Sequence, residues 1–249
     1  MTQIESVDPY QIPFFFDFML FLKRLKDKPI KRTKTGAISL SDIPDLINHE
    51  FKEQEQLDEY RHFGWRIHRA DEFQFLQQIQ FIAEVMFLTY KRKGLLLLSK
   101  NGQGFLSKLG SLYQFREMVL HYYYRFNWGY FFYYGKILRG KNLAQVLQQH
   151  QNLIWKALLL KGDNWSDYKL FCQFLYIRLH LEEYFPGESE RDLEREIERA
   201  LFSYNLCRFG LVELEEKRSQ SKYDKEIIRF RSTPLGIYIF DKAVNESYL

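Results

Sequence analysis

Only two cysteines, six prolines and six histidines occur among 249 residues, and each scarcity closes off a class of protein. Cys172 and Cys207 both fall in runs that read as helical, which suits two buried thiols and not a disulfide scaffold. No Cys/His spacing suited to zinc is present, and the histidines (49, 62, 68, 121, 150 and 180) are scattered. The glycines of KNGQGF and LRGKN lack the spacing and lysine placement of a phosphate loop. Gly-x-Ser-x-Gly, His-Glu-x-x-His and kinase-type sets are missing as well. The expectation is a chain with no catalytic residue, no metal site and no cofactor. Long apolar runs are also lacking. The one near the start is short and contains Asp17, so it predicts a buried helix rather than a membrane span. Glu5 and Asp8 precede that run and the basic residues follow it, the wrong polarity for a secretory signal, which points to a cytoplasmic protein.

Aromatic residues are abundant instead, at 18% of the chain. Twelve of the 22 residues from Tyr113 to Tyr134 are Phe, Tyr or Trp. Rings bury ~150 to 250 Å² each, so this stretch predicts a central packing helix, and Trp128 within it should be buried. Gly129 marks a close backbone approach or a helix break. Stacking of bases on its rings beside Arg116 and Arg125, or a homodimer seam, are the other roles such a run can serve. The length suggests two domains, divided here as residues 1–110, an aromatic connecting helix at 111–141, and residues 142–249.

The two flanks share one grammar. In the first, a helix starts at Pro13 and stops before Pro29. A short extended piece follows, and then a helix capped at Ser41. Asp71 with Gln74 opens a strongly apolar helix expected to run to about Tyr90. A turn at Gly94, a strand at Leu95–Leu98 and a turn of helix complete the set. In the second, helices open at Asn142 and Ser166, and Ser189 with Asp192 opens a third whose inward residues are Leu193, Ile197, Ala200, Leu201 and Tyr204. Gly210 closes it, and a hairpin and a TPLGIYIFDK ending follow.

The ending recurs with the same spacing. Ser99, Lys100, Asn101, Gly102, Phe105 and Leu106 in the first half match Thr233, Pro234, Leu235, Gly236, Ile239 and Phe240 in the second. Helix, hairpin and this Ser/Thr-x-x-Gly closure resemble the recognition helix, wing and closing segment of bacterial winged-helix regulators of the MarR-like and PadR-like kinds. The resemblance covers residues 29–109 and 142–243. It implies a mainly α fold of two winged-helix-like units, each with a small β-hairpin wing, in which the glycine lets the chain turn sharply out of the wing.

Such relatives commonly place the helix before the wing in the DNA major groove, and here the pattern departs. From Glu182 to Glu198 there are eight acids against Arg191 and Arg195, so the second unit repels phosphate. The first offers Gln74, Gln77 and Gln78, which can read adenine edges or simply face solvent. Positive charge concentrates elsewhere. Seven Lys or Arg lie between Lys23 and Lys34 against Asp27 alone. The winged-helix pairing would bring Lys28, Lys31, Arg32 and Lys34 beside Lys91, Arg92, Lys93 and Lys100. The net charge of +4 permits an acidic partner without amounting to a basic coat. The expected function is non-enzymatic association with DNA or another nucleic acid through that basic edge. The alternative is a protein-interaction or scaffold module whose acidic second-unit helix docks a partner.

Overall fold

The computed structural model describes residues 7–33, 38, 51–52, 58, 62–63, 74–131, 142–218 and 225–246. The chain is mainly helical, with two small antiparallel three-stranded sheets. It divides into two compact units, Asp8–Phe126 and a second that begins at Asn127. Lys34, Ser41 and Asp71 lie outside the described residues.

In the first unit α1 spans Pro13–Asp27. Pro13 fits the first helical position, where no amide proton is needed. The apolar run follows it, and Phe14, Phe15, Phe18, Phe21 and Leu22 are fully buried. Asp17, also buried, accepts the backbone N–H of Lys52 at 2.7 Å. Strand β1 is Ile30–Lys31. Helix α2, Gln74–Val85, stops short of the expected Tyr90, because Phe87 takes a left-handed backbone (φ 56°) and Thr89–Arg92 is strand β2. A two-residue turn with both central φ positive, Lys93 at 49° and Gly94 at 73°, joins β2 to β3, Leu95–Leu98. This is the turn geometry whose twist matches a hairpin. The sheet order is β1-β3-β2. Helix α3, Lys100–Lys108, leads into α4, Ser111–Arg125. Phe15 meets Phe115 of α4 edge-on at 5.5 Å, and Phe18 meets Phe105 of α3 at 6.3 Å.

The aromatic stretch is therefore not one continuous helix. It leaves α-geometry at Phe126 and enters a 3-10 turn, Trp128–Phe131. That turn opens the second unit and is tied to the start of α5, Leu143–Gln149. The Trp128 N–H donates to Gln148 Oε1 at 3.0 Å, and Asn142 Nδ2 donates to the Gly129 carbonyl at 3.1 Å. A Cβ on Gly129 would lie 2.6 Å from Gln145 Cγ, so the glycine answers a close approach. Asn142 and Gln145 form a reciprocal capping box. The apolar stripe from Leu143 to Leu158 predicts one helix, but the chain breaks at His150 and restarts as α6, Gln151–Lys161.

Strand β4, Ser166–Asp167, leads into α7, Tyr168–Arg178, capped by Asp167 rather than by Ser166. A single helical turn, α8, is Leu181–Tyr184. Helix α9, Glu190–Ile197, continues as a π-helical segment through Cys207. The wider π turn shifts the inward face, so Phe202, Asn205 and Leu206 are buried and Tyr204 is only half-buried. Strands β5, Val212–Arg218, and β6, Lys225–Ser232, form a hairpin on which β4 pairs, in the order β4-β6-β5. Helix α10, Pro234–Asn245, ends the fold. Phe171, Phe202 and Phe230 form one ring cluster with centroids 5.0 to 6.0 Å apart. Trp155 joins Trp128 at 5.9 Å and stacks on Phe240 at 5.4 Å.

The repeated Ser/Thr-x-x-Gly sequence builds the same joint twice. Ser99 Oγ caps α3 by accepting from Gly102 N and donates to the Phe87 carbonyl, while Ser99 N donates to Leu88 O. Thr233 Oγ1 caps α10 through Gly236 N and donates to the Gly210 carbonyl, while Thr233 N donates to Leu211 O. Neither glycine has a positive φ. Each is required because a Cβ would run into the carbonyl of Leu88 or Leu211, so close approach replaces the sharp turn expected from sequence.

Candidate nucleic-acid interface

Strand register decides which of the expected cations meet. Lys31 and Arg92 both pair with Leu95, one from each side, so the three share a row and a face. Arg32 N donates to the Gly94 carbonyl at 2.9 Å, which sets Arg32 beside the hairpin turn, and Lys93 is the turn's first residue. Lys31, Arg32, Arg92 and Lys93 thus gather at one tip. Lys91, Arg92 and Lys93 are exposed. Lys91 reaches back to Glu84 at 2.9 Å and is neutralised there. Among the described residues no acid pairs with Arg92 or Lys93.

Lys28 and Lys100 are exposed too, but they lie at the other end of the sheet. Lys100 follows Leu98, five residues from Leu95, which at ~3.3 Å per residue is roughly 15 Å from the tip. Lys28 precedes Ile30, whose partner is Leu96, and so runs toward the same far end. The single basic edge expected from sequence is therefore a tip cluster and a separate pair.

The helix that the resemblance would put in a groove is poorly placed for it. No residue of α2 from Gln74 to Val85 is exposed. Gln78, a candidate base reader, is buried, and Gln80 donates to Glu84 at 2.8 Å. In the second unit α9 exposes Glu190, Arg191, Asp192 and Arg195, with Glu188, Glu194, Glu196 and Glu198 half-buried nearby, which favours neither phosphate nor base edges.

The second hairpin is rich in arginine, yet Arg229 and Arg231 are closed on glutamates of the facing strand. Glu213 pairs with Arg231 across the strands and Glu215 with Arg229. Each carboxylate accepts one hydrogen bond from a guanidinium Nε, at 2.8 Å from both Arg231 and Arg229, and a second guanidinium nitrogen lies 2.6 and 2.7 Å from the same oxygen. The same two guanidinium groups lie over Trp165, at 4.8 and 5.2 Å from its ring centre. Lys169 pairs with Glu226 at 2.9 Å. Sequence reasoning missed this ladder because strand register, here with a bulge at Glu215/Glu216, is not legible in residue order alone.

Groups suited to chemistry are subdued. Between α7 and α9 a shallow indentation is lined by Cys172, Tyr176, Leu193 and Ile197. Burial pushes the Cys172 thiol up to about 12, against a weaker opposing effect of its hydrogen bond with Tyr168. The Tyr168 hydroxyl is likewise held far above its ordinary range by burial, and it donates to the Glu194 carbonyl at 2.7 Å. Burial, with Glu216 and Glu198 nearby, also pushes Cys207 up to about 12. Both cysteines are free. Since only a thiolate alkylates, both should react with iodoacetamide at pH 8 at least about tenfold more slowly in native than in urea-unfolded protein. The same raised values favour the folded state below pH 9, and that contribution is lost as pH rises from 9 toward 12. Equal native and unfolded alkylation rates would contradict this burial.

Among the described residues no group of three His, Cys, Asp or Glu is placed to hold a metal ion, and no helix is long and apolar enough to cross a membrane. Comparison with protein-family models, curated proteins and solved structures finds no match to this chain.

Proposed function

We propose that the chain is a pair of divergent winged-helix-like units that associates with nucleic acid through the hairpin tip of the first unit, without catalysing a reaction. The winged-helix reading is supported by the two strand orders, β1-β3-β2 and β4-β6-β5, and by the Ser/Thr-x-x-Gly joint built at the same point of each. The nucleic-acid reading is carried by the contrast between the hairpins. One presents Arg92 and Lys93 with no acid among the described residues, beside Lys31 and Arg32. In the other, Arg229 and Arg231 are each held by a glutamate.

Phosphate neutralisation by a few cations supplies sequence-independent binding. Replacing Lys31, Arg32, Arg92 and Lys93 by alanine should therefore lower affinity for a random oligonucleotide at least about tenfold at low salt. Replacing Lys28 and Lys100 together should lower it less. Stability should barely change, since exposed charges contribute ~0 to 1 kcal/mol. Fluorescence anisotropy with labelled strands reads both effects, and an unaltered affinity in the fourfold variant removes the proposal.

A second function has its own observation. Helix α7 exposes Leu170 and Ile177, 64% and 67% accessible, with half-buried Phe174 between them at helical spacing. Acidic α9 packs beside α7. An apolar stripe near acidic residues suits a basic amphipathic protein segment, and this scaffold role takes precedence if the tip variant binds as the wild type does.

A further inference from the structure

We infer that the solvent face of the first sheet is a stacking platform for single-stranded nucleic acid, with Tyr90 beneath a base and Lys31, Arg92 and Lys93 on the phosphates. The inference rests on the nucleic-acid role proposed above and names the form of nucleic acid.

Side chains alternate between the faces of a strand. Ile30, Leu96, Leu98 and Thr89 point to one face and are buried. Tyr90 pairs with Leu97 and Arg92 with Leu95, so Tyr90, Arg92, Leu95, Leu97 and Lys31 share the other. There Tyr90 is 42% exposed and the two leucines are half-buried. An open ring on an apolar floor, with cations at the adjoining tip, combines the two elements of a single-strand site: stacking that every base can use and a positive track for the backbone.

Two further observations favour this face. Among its described residues, Gln74–Val85, helix α2 has no exposed residue with which to enter a major groove. The equivalent outward face of the second sheet also carries an aromatic ring, Trp165, but Arg229 and Arg231 already cover it and Glu213 and Glu215 hold them there. Tyr90 has no such cover among the described residues. Phe87, just before β2, is 64% exposed despite its left-handed backbone. That conformation is costly for a bulky residue, so an exposed ring kept there is a candidate second contact.

The test uses the full chain, labelled oligothymidylate, a duplex of equal length and vesicles containing phosphatidylserine. Tyr90→Ala is expected to weaken single-strand binding about ten- to a hundredfold, the range of one lost base stack, with duplex binding and the salt slope unchanged. Tyr90→Phe, which keeps the ring and the fold, should bind like the wild type. Single-strand affinity unaffected by Tyr90→Ala, or lowered equally with duplex affinity, overturns the platform and leaves the basic tip standing. Absence of binding to either nucleic acid at low salt, or binding to the vesicles alone, overturns both.

Discussion

Trp128→Ala is expected to lower the free energy of unfolding by about 3 to 5 kcal/mol, the range for truncating a large buried ring. The indole is fully buried and meets Trp155 at 5.9 Å, and Trp155 in turn stacks on Phe240 of α10. Removing it takes away the transfer free energy of the ring and leaves a cavity that these neighbours can fill only in part. The backbone around it is fixed from outside, through Gln148 on the Trp128 N–H and Asn142 on the Gly129 carbonyl, so collapse into the space is restricted. Against a typical margin of ~5 to 15 kcal/mol the loss is severe. Urea unfolding measures it. A variant within about 1 kcal/mol of the wild type would mean that the ring is not packed as described.

Gly236→Ala should be the next most damaging. The new methyl would overlap the Leu211 carbonyl oxygen and stand 2.9 Å from its carbon, and these are backbone atoms that cannot rotate away. Relief requires α10 to move off the strand entry, which strains the Thr233 N–H bond to Leu211 O and the Thr233 hydroxyl bond to Gly210 O. Overpacking typically costs about 1 to 3 kcal/mol, and the loss of hydrogen bonds puts this case at or above the upper end. Gly102→Ala should behave alike, since Leu88 O blocks it in the same way. Gly104→Ala is the control, because nothing lies within 4 Å of its Cβ. A helical glycine so placed should gain about 0.5 to 1 kcal/mol on becoming alanine. If Gly236→Ala proved as harmless as Gly104→Ala, the repeated joint would be misassigned.

Local signals were the legible part of this fold. Pro13 marks the start of α1, and Lys28 ends it just ahead of Pro29. Asn142 and Thr233 cap the helices they precede, and Lys93-Gly94 makes the β2–β3 turn. Each of these acts within four residues. What sequence misjudged depends on partners farther away. The helix expected to run to about Tyr90 ends at Val85, because the left-handed Phe87 and the pairing of Thr89–Arg92 with Leu95–Leu98 turn the chain into a strand. The two-residue strands β1 and β4 are too short to show a period. The π-helical stretch after Glu198 moves Asn205 inward and Tyr204 partly outward, against a 3.6-residue count.

The candidate site divides along the same line. That Lys31, Arg32, Arg92 and Lys93 converge was inferable from the expected pairing of a short strand with the hairpin. That Lys100 stands apart, that Glu84 takes Lys91, and that Arg229 and Arg231 are held by glutamates required strand register. Charge counts alone place both hairpins on an equal footing. Pairing geometry separates them at Arg229 and Arg231, which glutamates hold, while no acid among the described residues pairs with Arg92 or Lys93.

The dependence of binding on salt tests that claim most directly. Each phosphate neutralised on a single strand contributes a slope of about −0.7 in log K against log salt. A tip of three to four cations predicts a wild-type slope of roughly −2 to −3, collapsing toward zero when Lys31, Arg32, Arg92 and Lys93 are all alanine. A wild-type slope near zero, or a steep slope that survives the fourfold substitution, would show that the first hairpin tip is not where this protein meets nucleic acid.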